Sequence, residues 1–524
     1  MRVRISTTMV LAALCASFAA PVLATPPAAP VVTVGAGIKT LQFDWESVPR
    51  SNYYELWFKA NDGASWIKYS ETPAQSPRIR ITASVHLLDW RVAKYRVAAC
   101  NFSGCTNSSE LTVTGLATDA VGYFKPPNPG ISRGYGMGTA VSADGKAFAV
   151  MSGDVIGGVE GIPAVNVYRK NGASWRRNLR VVPSRILPGT AQYFQTSYTP
   201  LSLNGDGTVL VLGIPSHTPR GSDMPQHSGA VFVFRYDGTR WNEEQMLESP
   251  FEEGYFGWHV DIDDAGELLI ATRFAGYGLP YPSTQLGETL AFRHSSAGWT
   301  QVAALNVSQG SVGQRQCAQS ALSGNGRWLV RACRYSVEVF RTSDWTKSAE
   351  FAVGSYSNIS EYRGGAIDTN FDGNRIVVRL DDERINMFWK SVSGWRQDGE
   401  FRSGTFQRTF AAKIAMSRDG KMVAAGDTSG CHPGAGPVYP PFAYCQGQGS
   451  GQVTVFEYRG THWQPRSYIK PNIEVFQSFG QSVALGDNGR ILVVGAPLES
   501  SNASGIDGDQ TDTSAPERGA VWLY

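Results

Sequence analysis

Residues 479–497 read FGQSVALGDNGRILVVGAP, and this stretch is the clearest copy of a pattern that runs through most of the chain. An aromatic-Gly pair opens it, an alternating apolar run follows, and a tight turn at Gly489 leads into a second apolar run. A polar stretch and a third apolar run, residues 519–524, complete the copy. The turn glycine recurs at Gly145, Gly207, Gly266, Gly326, Gly373, Gly420 and Gly489. A tryptophan follows it at Trp175, Trp241, Trp299, Trp345, Trp395 and Trp463.

This periodicity predicts the fold. Short apolar runs separated by Gly turns indicate small antiparallel sheets, and self-similarity at a fixed period indicates units that bury their apolar faces against one another. Sheets repeated around a ring form a β-propeller. We therefore expect an all-β chain with a seven-bladed propeller over residues 119–524. A membrane-spanning barrel is rejected, because it needs longer strands and aromatic residues grouped in girdles.

The amino terminus has the pattern of a secretory signal peptide over residues 1–24. Arg2 and Arg4 precede an apolar run at residues 9–20, and Ala24 ends a small-residue cleavage site. No later stretch reaches the roughly 18–20 apolar residues that span a bilayer. We therefore expect an exported protein, extracellular or periplasmic, without a membrane span.

Charge restricts the partners. The formal net charge is +2, and removal of Arg2 and Arg4 with the signal peptide brings it to zero. Nucleic-acid binding needs a basic face, so a nucleic-acid partner is not expected. A glycan or an extracellular protein remains as the expected partner, and the protein itself is expected to be a monomer.

Cysteine usage agrees with export. Of the seven cysteines, Cys15 lies in the signal peptide, and the other six fall into three pairs that are close in sequence. Close pairs in an exported protein favour disulfides over a metal site, and only His432 lies beside a cysteine. The expected disulfides are Cys100–Cys105, Cys317–Cys333 and Cys431–Cys445.

Residues 29–115 differ from the repeats. Alternating runs near Trp45, Trp57, Ile79 and Val97 predict half-buried antiparallel strands of a small β-sandwich. Trp45, together with Leu88 and Tyr95, resembles the core tryptophan and tyrosine corner of fibronectin type III domains. The resemblance implies either a passive spacer or a binding module.

The repeat resembles the FG-GAP family of secreted propellers, which includes the heads of integrin α-chains. Phe479-Gly480 and Gly495-Ala496-Pro497 match the signature, Tyr135-Gly136 and Phe256-Gly257 match its first half, and blades four and five lose it. The resemblance implies recognition or adhesion. The integrin-type calcium sites are not expected here, because a tight turn replaces the acidic loop that carries them.

The last repeat ends after its third strand, so a fourth strand must come from elsewhere. Residues 121–128 resemble residues 466–472, the fourth strand of blade six. We therefore expect residues 119–127 to complete blade seven and close the ring, which would remove an exposed sheet edge. A plain interdomain linker is the alternative.

Links between second and third strands vary in length, and we expect them on one face, where binding sites of rigid scaffolds usually lie. We expect a gap in these links over blades four and five, and a blade-one link over residues 154–163. The candidate ligand-binding residues are the blade-six aromatics Tyr439, Phe442 and Tyr444 and the blade-three residues Tyr277 and Tyr281. Alternatively, the links are tolerated insertions and the aromatic residues only pack them.

Chemistry is sparse. Asp261 and Asp368 replace the small residue usual at their position, and such carboxylates either form a catalytic pair or are held by backbone donors. Asp507, Asp509 and Asp512 offer calcium ligands or form a solvated loop, and no cofactor is otherwise predicted. We expect a recognition protein; the alternatives are a polysaccharide hydrolase or lyase with its site at the channel mouth, or a structural envelope component. Enzymatic activity stays open, with a non-enzyme favoured.

Overall fold

The computed structural model describes residues 25–156, 159–172, 174–185, 201–217, 228–249, 254–273, 288–306, 317–333, 336–353, 366–379, 384–402, 410–428, 438–439, 450–471 and 477–524. The chain divides into two compact units. The first contains residues 25–34 with Phe43–Ile79 and Lys94–Leu111. The second contains Gly35–Gln42, Arg80–Ala93 and Thr112–Tyr524.

The amino-terminal region forms a small β-sandwich of two antiparallel sheets. One sheet has the order β1-β2-β5, and the other has the order β4-β3-β6-β7, with β8 paired to β6. The strands are β1 (Val32–Gly37), β2 (Thr40–Trp45), β3 (Tyr53–Lys59), β4 (Ile67–Pro73), β5 (Arg78–Thr82), β6 (Lys94–Asn101), β7 (Gly104–Asn107) and β8 (Leu111–Thr112). Short 3-10 turns lie at Val85–Leu87 and Thr114–Leu116.

Alternation explains why these segments are strands. In β2 the residues Leu41, Phe43 and Trp45 are buried and their neighbours are partly exposed. The ring of Phe43 lies 5.1 Å from that of Tyr95, and the ring of Trp45 lies 4.9 Å from that of Tyr54. These aromatic contacts form the core of the first unit, while a disulfide joins Cys100 to Cys105 across β6 and β7.

The repeats form seven sheets within the described residues, six of four strands and one of five. The strands of blades one to four are β10 (Ser132–Val141), β11 (Ala147–Ile156), β12 (Val159–Asn171), β13 (Ser174–Val181), β14 (Leu201–Leu203), β15 (Val209–Ile214), β16 (Ala230–Tyr236), β17 (Trp241–Glu248), β18 (His259–Ile262), β19 (Leu268–Arg273), β20 (Glu288–Ser295), β21 (Gly298–Asn306), β22 (Cys317–Leu322), β23 (Trp328–Cys333), β24 (Ser336–Arg341) and β25 (Lys347–Ala352).

The remaining blades follow the same order. Their strands are β26 (Ala366–Thr369), β27 (Arg375–Arg379), β28 (Arg384–Ser391), β29 (Gly394–Arg402), β30 (Phe410–Met416), β31 (Met422–Asp427), β32 (Val438–Tyr439), β33 (Gln452–Tyr458), β34 (Trp463–Ile469), β35 (Ser482–Gly486), β36 (Ile491–Ala496) and β37 (Ala520–Leu523), with a 3-10 turn at Asp487–Gly489. The fourth strand of blade seven is β9 (Gly122–Phe124), which pairs antiparallel with β37.

The first strands of the blades form the inner wall of a ring. Each contacts the first strand of the next blade, from β10 through β14, β18, β22, β26 and β30 to β35, and β35 contacts β10. The chain is therefore an all-β protein whose seven-bladed β-propeller follows a small β-sandwich. A buried pair fastens the closing strand, because Lys125 Nζ donates to Glu499, and both side chains are at most 2% exposed.

Two repeated devices shape every blade before the last. A bulge between the third and fourth strands falls at an aromatic residue, at Tyr168, Phe234, Phe292, Phe340, Phe388 and Phe456. Bulges increase the local twist of a sheet. The first turn is capped by a side-chain oxygen, which accepts a hydrogen bond from a backbone N–H just after the turn. The capping residues are Ser142, Asn204, Asp263, Ser323, Asn370 and Ser417.

Glycine allows three pairs of blades to approach closely. Phe256, Phe479 and Tyr135 are fully buried. The same residues form parallel bridges to the glycines that precede the third strand of the preceding blade, namely Gly229, Gly451 and Gly519. A Cβ atom on Gly451 would lie 2.2 Å from the carbonyl oxygen of Phe479, and the φ of Gly451 is +98°. We call this contact the glycine lock, since no other residue fits it.

Candidate binding end and central channel

The two ends of the propeller differ in their connections. Antiparallel four-stranded blades place the first-to-second and third-to-fourth turns at one end, here called the turn-bearing end. They place the second-to-third links and the links between blades at the other end, here called the link-bearing end. Tight Gly turns such as Gly207 and Gly238 occupy the former. All the long connections therefore start and finish at the link-bearing end.

The second-to-third links of blades four and five are short, as expected, since β23 ends at Cys333 before Ser336 and β27 ends at Arg379 before Arg384. The links that enter and leave these blades also start and finish at the link-bearing end. They join Asn306 to Cys317, Ala352 to Ala366 and Arg402 to Phe410, and nearly all of their residues lie outside the described ranges. A gap in the ring of links over these blades therefore stays a prediction.

Two other links differ from expectation. In blade one, β11 continues to Ile156 and β12 begins at Val159, so the described residues on both sides of this link are paired strands rather than a loop. Asp154 is buried there and accepts a hydrogen bond from Ser152 Oγ at 2.8 Å. In blade six, the backbone of Tyr439 pairs with Tyr468, so β32 adds a fifth strand at the outer edge of that blade.

Backbone hydrogen bonds close the turn-bearing end. The first turns of neighbouring blades are joined by N–H donation from Asp144 to Gly205, Gly205 to Asp264, Asp264 to Gly324, Asn325 to Phe371, Phe371 to Arg418 and Asp487 to Ala143. Arg418 of blade six also donates to Asp264 of blade three at 2.8 Å, and its guanidinium lies 3.7 Å from the ring of Phe371. This bridge spans the inner ring from blade six to blade three and narrows the central channel at this end.

The first turn of blade seven has a different support. It lacks the capping side chain, because Gly486 stands where the other blades have Ser, Asn or Asp. His86 instead donates from Nε2 to the Gly489 carbonyl at 2.6 Å, and Lys39 Nζ donates to the Arg490 carbonyl at 2.8 Å. Burial lowers the pKa of His86 to about 3, so this imidazole is neutral near neutral pH.

The two aspartates singled out from the sequence occupy equivalent positions in the inner wall. Asp261 in blade three accepts from Leu322 N of blade four at 2.8 Å and from Ser202 Oγ of blade two at 3.0 Å. Asp368 in blade five accepts from Met416 N of blade six at 2.7 Å. Each carboxylate thus joins its blade to the next, and we call this contact the carboxylate clasp.

Asp261 and Asp368 are partly exposed residues, but most of each side chain is surrounded by protein. Burial raises the pKa of Asp261 to about 6, against the effect of its hydrogen-bond donors. Burial raises the pKa of Asp368 to about 7, and repulsion from Asp261 contributes. The charge of Asp261 thus adds to the effect of burial at Asp368, whereas the charged neighbour that raises the pKa of Asp261 is Asp263.

One layer nearer the link-bearing end, the same wall carries His259 and Lys413. Burial and the charge of Lys413 lower the pKa of His259 to about 3. Burial and the charge of Arg379 lower the pKa of Lys413 to about 7. The Nδ1 atom of His259 is buried and has no hydrogen-bond partner in the described part of the chain. No sequence motif marks His259 or Lys413, and the available signal was their register with Asp261 in the repeat.

The acidic residues of the blade-seven link are not brought together. Asp507 accepts from Tyr123 N at 3.2 Å, Asp509 accepts from Thr511 N at 2.8 Å, and Asp512 accepts from Asn502 N at 2.7 Å. Among the described residues, the groups of three potential ligands close enough to share an ion consist of disulfide cysteines with Glu55 or Glu338. Each aspartate therefore accepts hydrogen bonds from a different backbone N–H group, and the three carboxylates do not form a shared site.

Several predicted residues lie outside the described residues. They are Tyr277, Tyr281, Phe442, Tyr444, Cys431, Cys445 and the signal peptide. Cys317 and Cys333 form a disulfide between β22 and β23 of blade four. In the ranges that the structure describes, no helix has the length and apolar character to cross a membrane.

No known family profile matches the chain, and no curated protein sequence matches it. Several solved structures resemble this chain distantly. Chaetomium thermophilum Sqt1 bound to the N-terminus of ribosomal protein L10 has a TM-score of 0.41 and 12% identity, covering 72% of this chain and 85% of that one. The RRP9 WD40 repeats have a TM-score of 0.42 and 12% identity, covering 76% and 99%.

Kuenenia stuttgartiensis hydrazine synthase has a TM-score of 0.40 and 13% identity, covering 71% of this chain and 93% of that one. Likenesses as distant as these carry no conclusion about the function of this chain.

Proposed function

We propose that this chain is an exported recognition protein that binds a protein ligand at the link-bearing end of its propeller. One observation carries the proposal: the long connections between the described strands start and finish at that end, while the opposite end carries tight turns and the Arg418–Asp264 bridge. Rigid scaffolds with variable connections on one face use that face for binding. The FG-GAP-like repeat and the fibronectin-like sandwich are consistent with adhesion, again by resemblance.

Export is part of the proposal. The signal-peptide pattern of residues 1–24 supports it, as do the disulfides Cys100–Cys105 and Cys317–Cys333, because disulfides persist in oxidising compartments. Mass spectrometry of the mature protein tests it. Cleavage after Ala24 and oxidised cysteines are expected, whereas an intact first residue with free thiols in the producing cell would contradict it.

A polypeptide is favoured over a glycan as the ligand. The inner wall presents the carboxylates of Asp261 and Asp368, which suit the N–H donors of a polypeptide. A polysaccharide hydrolase or lyase built on these two carboxylates is the second candidate, and their raised pKa values favour it.

Peptide display against the purified protein, beside a glycan array, tests the proposal. One variant replaces residues 431–449 at the link-bearing end by a short Gly-Ser link. The matched variant inserts the same link at Gly238, a turn with open space around it at the other end. Selected peptides should lose affinity only for the first variant.

Binding that survives the first change and fails with the second would overturn the proposal. Glycan binding without peptide binding would identify the other ligand class. Turnover of a polysaccharide that Asp261→Asn abolishes would establish the enzyme instead.

A further inference from the structure

We propose that the central channel is a socket for one basic side chain, a lysine ammonium or an arginine guanidinium, of the protein ligand. This inference rests on the proposed function, because it names the group that the link-bearing end would receive. The socket is formed by Asp261 and Asp368, with His259 one layer nearer the link-bearing end.

The turn-bearing end of the channel is narrowed by one cluster of contacts. There, Arg418 of blade six donates to Asp264 of blade three at 2.8 Å and covers Phe371 of blade five. Gly324 of blade four packs beside them, since a Cβ atom there would lie 2.8 Å from Phe371 and 3.0 Å from Asp264. Four blades thus contribute to this plug, which favours the link-bearing end as the route to the carboxylates.

The groups beyond the plug are hydrogen-bond acceptors. Asp261 accepts three hydrogen bonds, from Ile262 N, Leu322 N and Ser202 Oγ, and Asp368 accepts two, from Thr369 N and Met416 N. Because two carboxylate oxygens offer about four acceptor positions, both aspartates keep capacity for a further donor. Their partly exposed side chains leave that capacity reachable from the channel.

His259 offers an unpartnered nitrogen beside Asp261. Its Nδ1 atom is buried and has no hydrogen-bond partner among the described residues. The imidazole stays neutral near neutral pH, so it can accept a hydrogen bond. It lies two residues from Asp261 on the same strand, and alternate residues of a strand share a face.

Charge selects a cation as the occupant. The charge of Asp261 reaches Asp368, and a cation bound beside these carboxylates would offset that unfavourable effect. The neighbouring basic groups are Lys413 and Arg379; burial and the charge of Arg379 bring the pKa of Lys413 to about 7, so much of it is uncharged at slightly alkaline pH. A donor-rich cation on a flexible chain therefore matches the socket, and a basic side chain is such a group.

Small probes test the socket without the unknown ligand. Titration calorimetry of the mature protein at pH 8 would use propylguanidine and butylamine, which copy the ends of arginine and lysine, and pentanol as the uncharged control. Both cations should bind and pentanol should not. Affinity should fall as the pH is lowered from 8 to 5, because protonation of the aspartates removes their charge.

Variants assign the site. Asp368→Asn and Asp261→Asn should each weaken probe binding by about ten- to a hundredfold, the worth of a charged hydrogen bond. Asp419→Asn, an exposed turn carboxylate of blade six, makes the same charge change outside the channel and should have no effect. The pH titration of the unaltered protein keeps the test valid if a clasp variant does not fold.

Absence of probe binding to the folded protein, or equal loss with Asp419→Asn, would overturn the socket. That result leaves the proposed function standing if display still yields peptides that need the link-bearing end. Conversely, probe binding with no such peptides would leave the socket and remove the proposed function.

Discussion

Neighbouring blades are joined in two different ways. Between blades two and three, six and seven, and seven and one, an aromatic residue meets a glycine, and the contact is made by backbone atoms. Between blades three and four, and between five and six, Asp261 and Asp368 reach the next blade with a carboxylate. The first kind depends on the absence of a side chain, and the second depends on the charge of one.

The difference separates stability from sensitivity to conditions. A backbone contact around glycine does not titrate, so the glycine lock should hold over a wide pH range. A carboxylate whose pKa lies near 6 or 7 changes charge close to neutrality. Blades four and five, which lie between the two clasps, are therefore the part of the ring expected to respond to pH and to cations.

Breaking a lock should have the largest effect. In Gly451→Ala the new Cβ atom would meet the carbonyl oxygen of Phe479 at 2.2 Å, and the residue would keep a φ of +98°. Backbone must move and left-handed strain is added, so we expect a loss of about 5 kcal/mol in the free energy of unfolding. Urea denaturation followed by tryptophan fluorescence measures it.

The chain offers a matched control. Gly238 has the same φ of +98°, but a Cβ atom there would have nothing within 4 Å. Gly238→Ala should therefore cost only the backbone strain, about 1 to 2 kcal/mol. Equal losses in the two variants would mean that the lock itself contributes nothing.

Ring closure can be broken at the buried pair. Lys125→Met would leave Glu499 buried, with Tyr123 Oη and Ser501 N as its remaining donors. We expect a loss of about 3 to 4 kcal/mol, because an unpaired buried charge is costly. The double variant with Glu499→Gln should recover most of that loss in the same denaturation experiment. No recovery would show that the pair acts through packing rather than charge.

The lock and the clasp were not equally visible in the sequence. The aromatic residues of the locks, Tyr135, Phe256 and Phe479, could be recognised from the aromatic-Gly motif, whereas their partners Gly229, Gly451 and Gly519 lie in the preceding blade and were not predicted. Asp261 and Asp368 could be recognised as exceptions at a small-residue position. The partner of each carboxylate could not be predicted, since it depends on how neighbouring blades align.

Other features left a signal that was not used. A Ser, Asn or Asp stands three residues before the turn glycine in six blades, as at Ser142 and Asn204, and its capping role follows from short polar side chains. The long links were assigned to one end, but links between blades were overlooked. The support of the blade-seven turn by His86 was beyond prediction, because 403 residues separate the two partners.

The clasp should make stability depend on pH. The pKa values of Asp261 and Asp368 in the folded protein, about 6 and 7, lie above the unfolded value near 4. Their contribution to the free energy of unfolding is therefore complete below pH 4 and is lost as the pH rises through 6 and 7. Over that range the free energy of unfolding of Asp368→Asn should rise by about 1 to 3 kcal/mol relative to that of the unaltered protein. Parallel denaturation of both proteins from pH 4.5 to 8 checks this.

Comparing Asp368→Asn with the unaltered protein removes the effect of groups whose pH dependence is opposite to that of the aspartates. His86 and His259 have pKa values lowered to about 3, so their contribution is present above pH 6.5 and is lost as the pH falls toward 3. These histidines are the same in both proteins. A difference that stays constant with pH would show that the clasp carboxylate does not titrate in this range.

The smallest effect on the free energy of unfolding is expected for a change at the plug. This change also distinguishes the locks from the clasps most clearly. Arg418→Gln removes a partly exposed ion pair with Asp264, so unfolding should change by no more than about 1 kcal/mol. Water would then enter the channel from the turn-bearing end. The amides of Leu322 and Met416, which donate to the clasps, should exchange hydrogen faster, while the amide of Phe479, which donates to Ser450 in a lock, should not.

Hydrogen exchange by mass spectrometry, on peptides that contain these amides, distinguishes the two cases. Faster exchange at the clasps alone means that they line a solvent-accessible channel and that the plug protects them. Equal exchange before and after the change would place the clasps away from the channel, in contacts as closed as the locks. The same result would remove the physical basis for pH sensitivity. Carboxylates that water and ions cannot reach would neither bind protons readily nor pair with a cationic ligand.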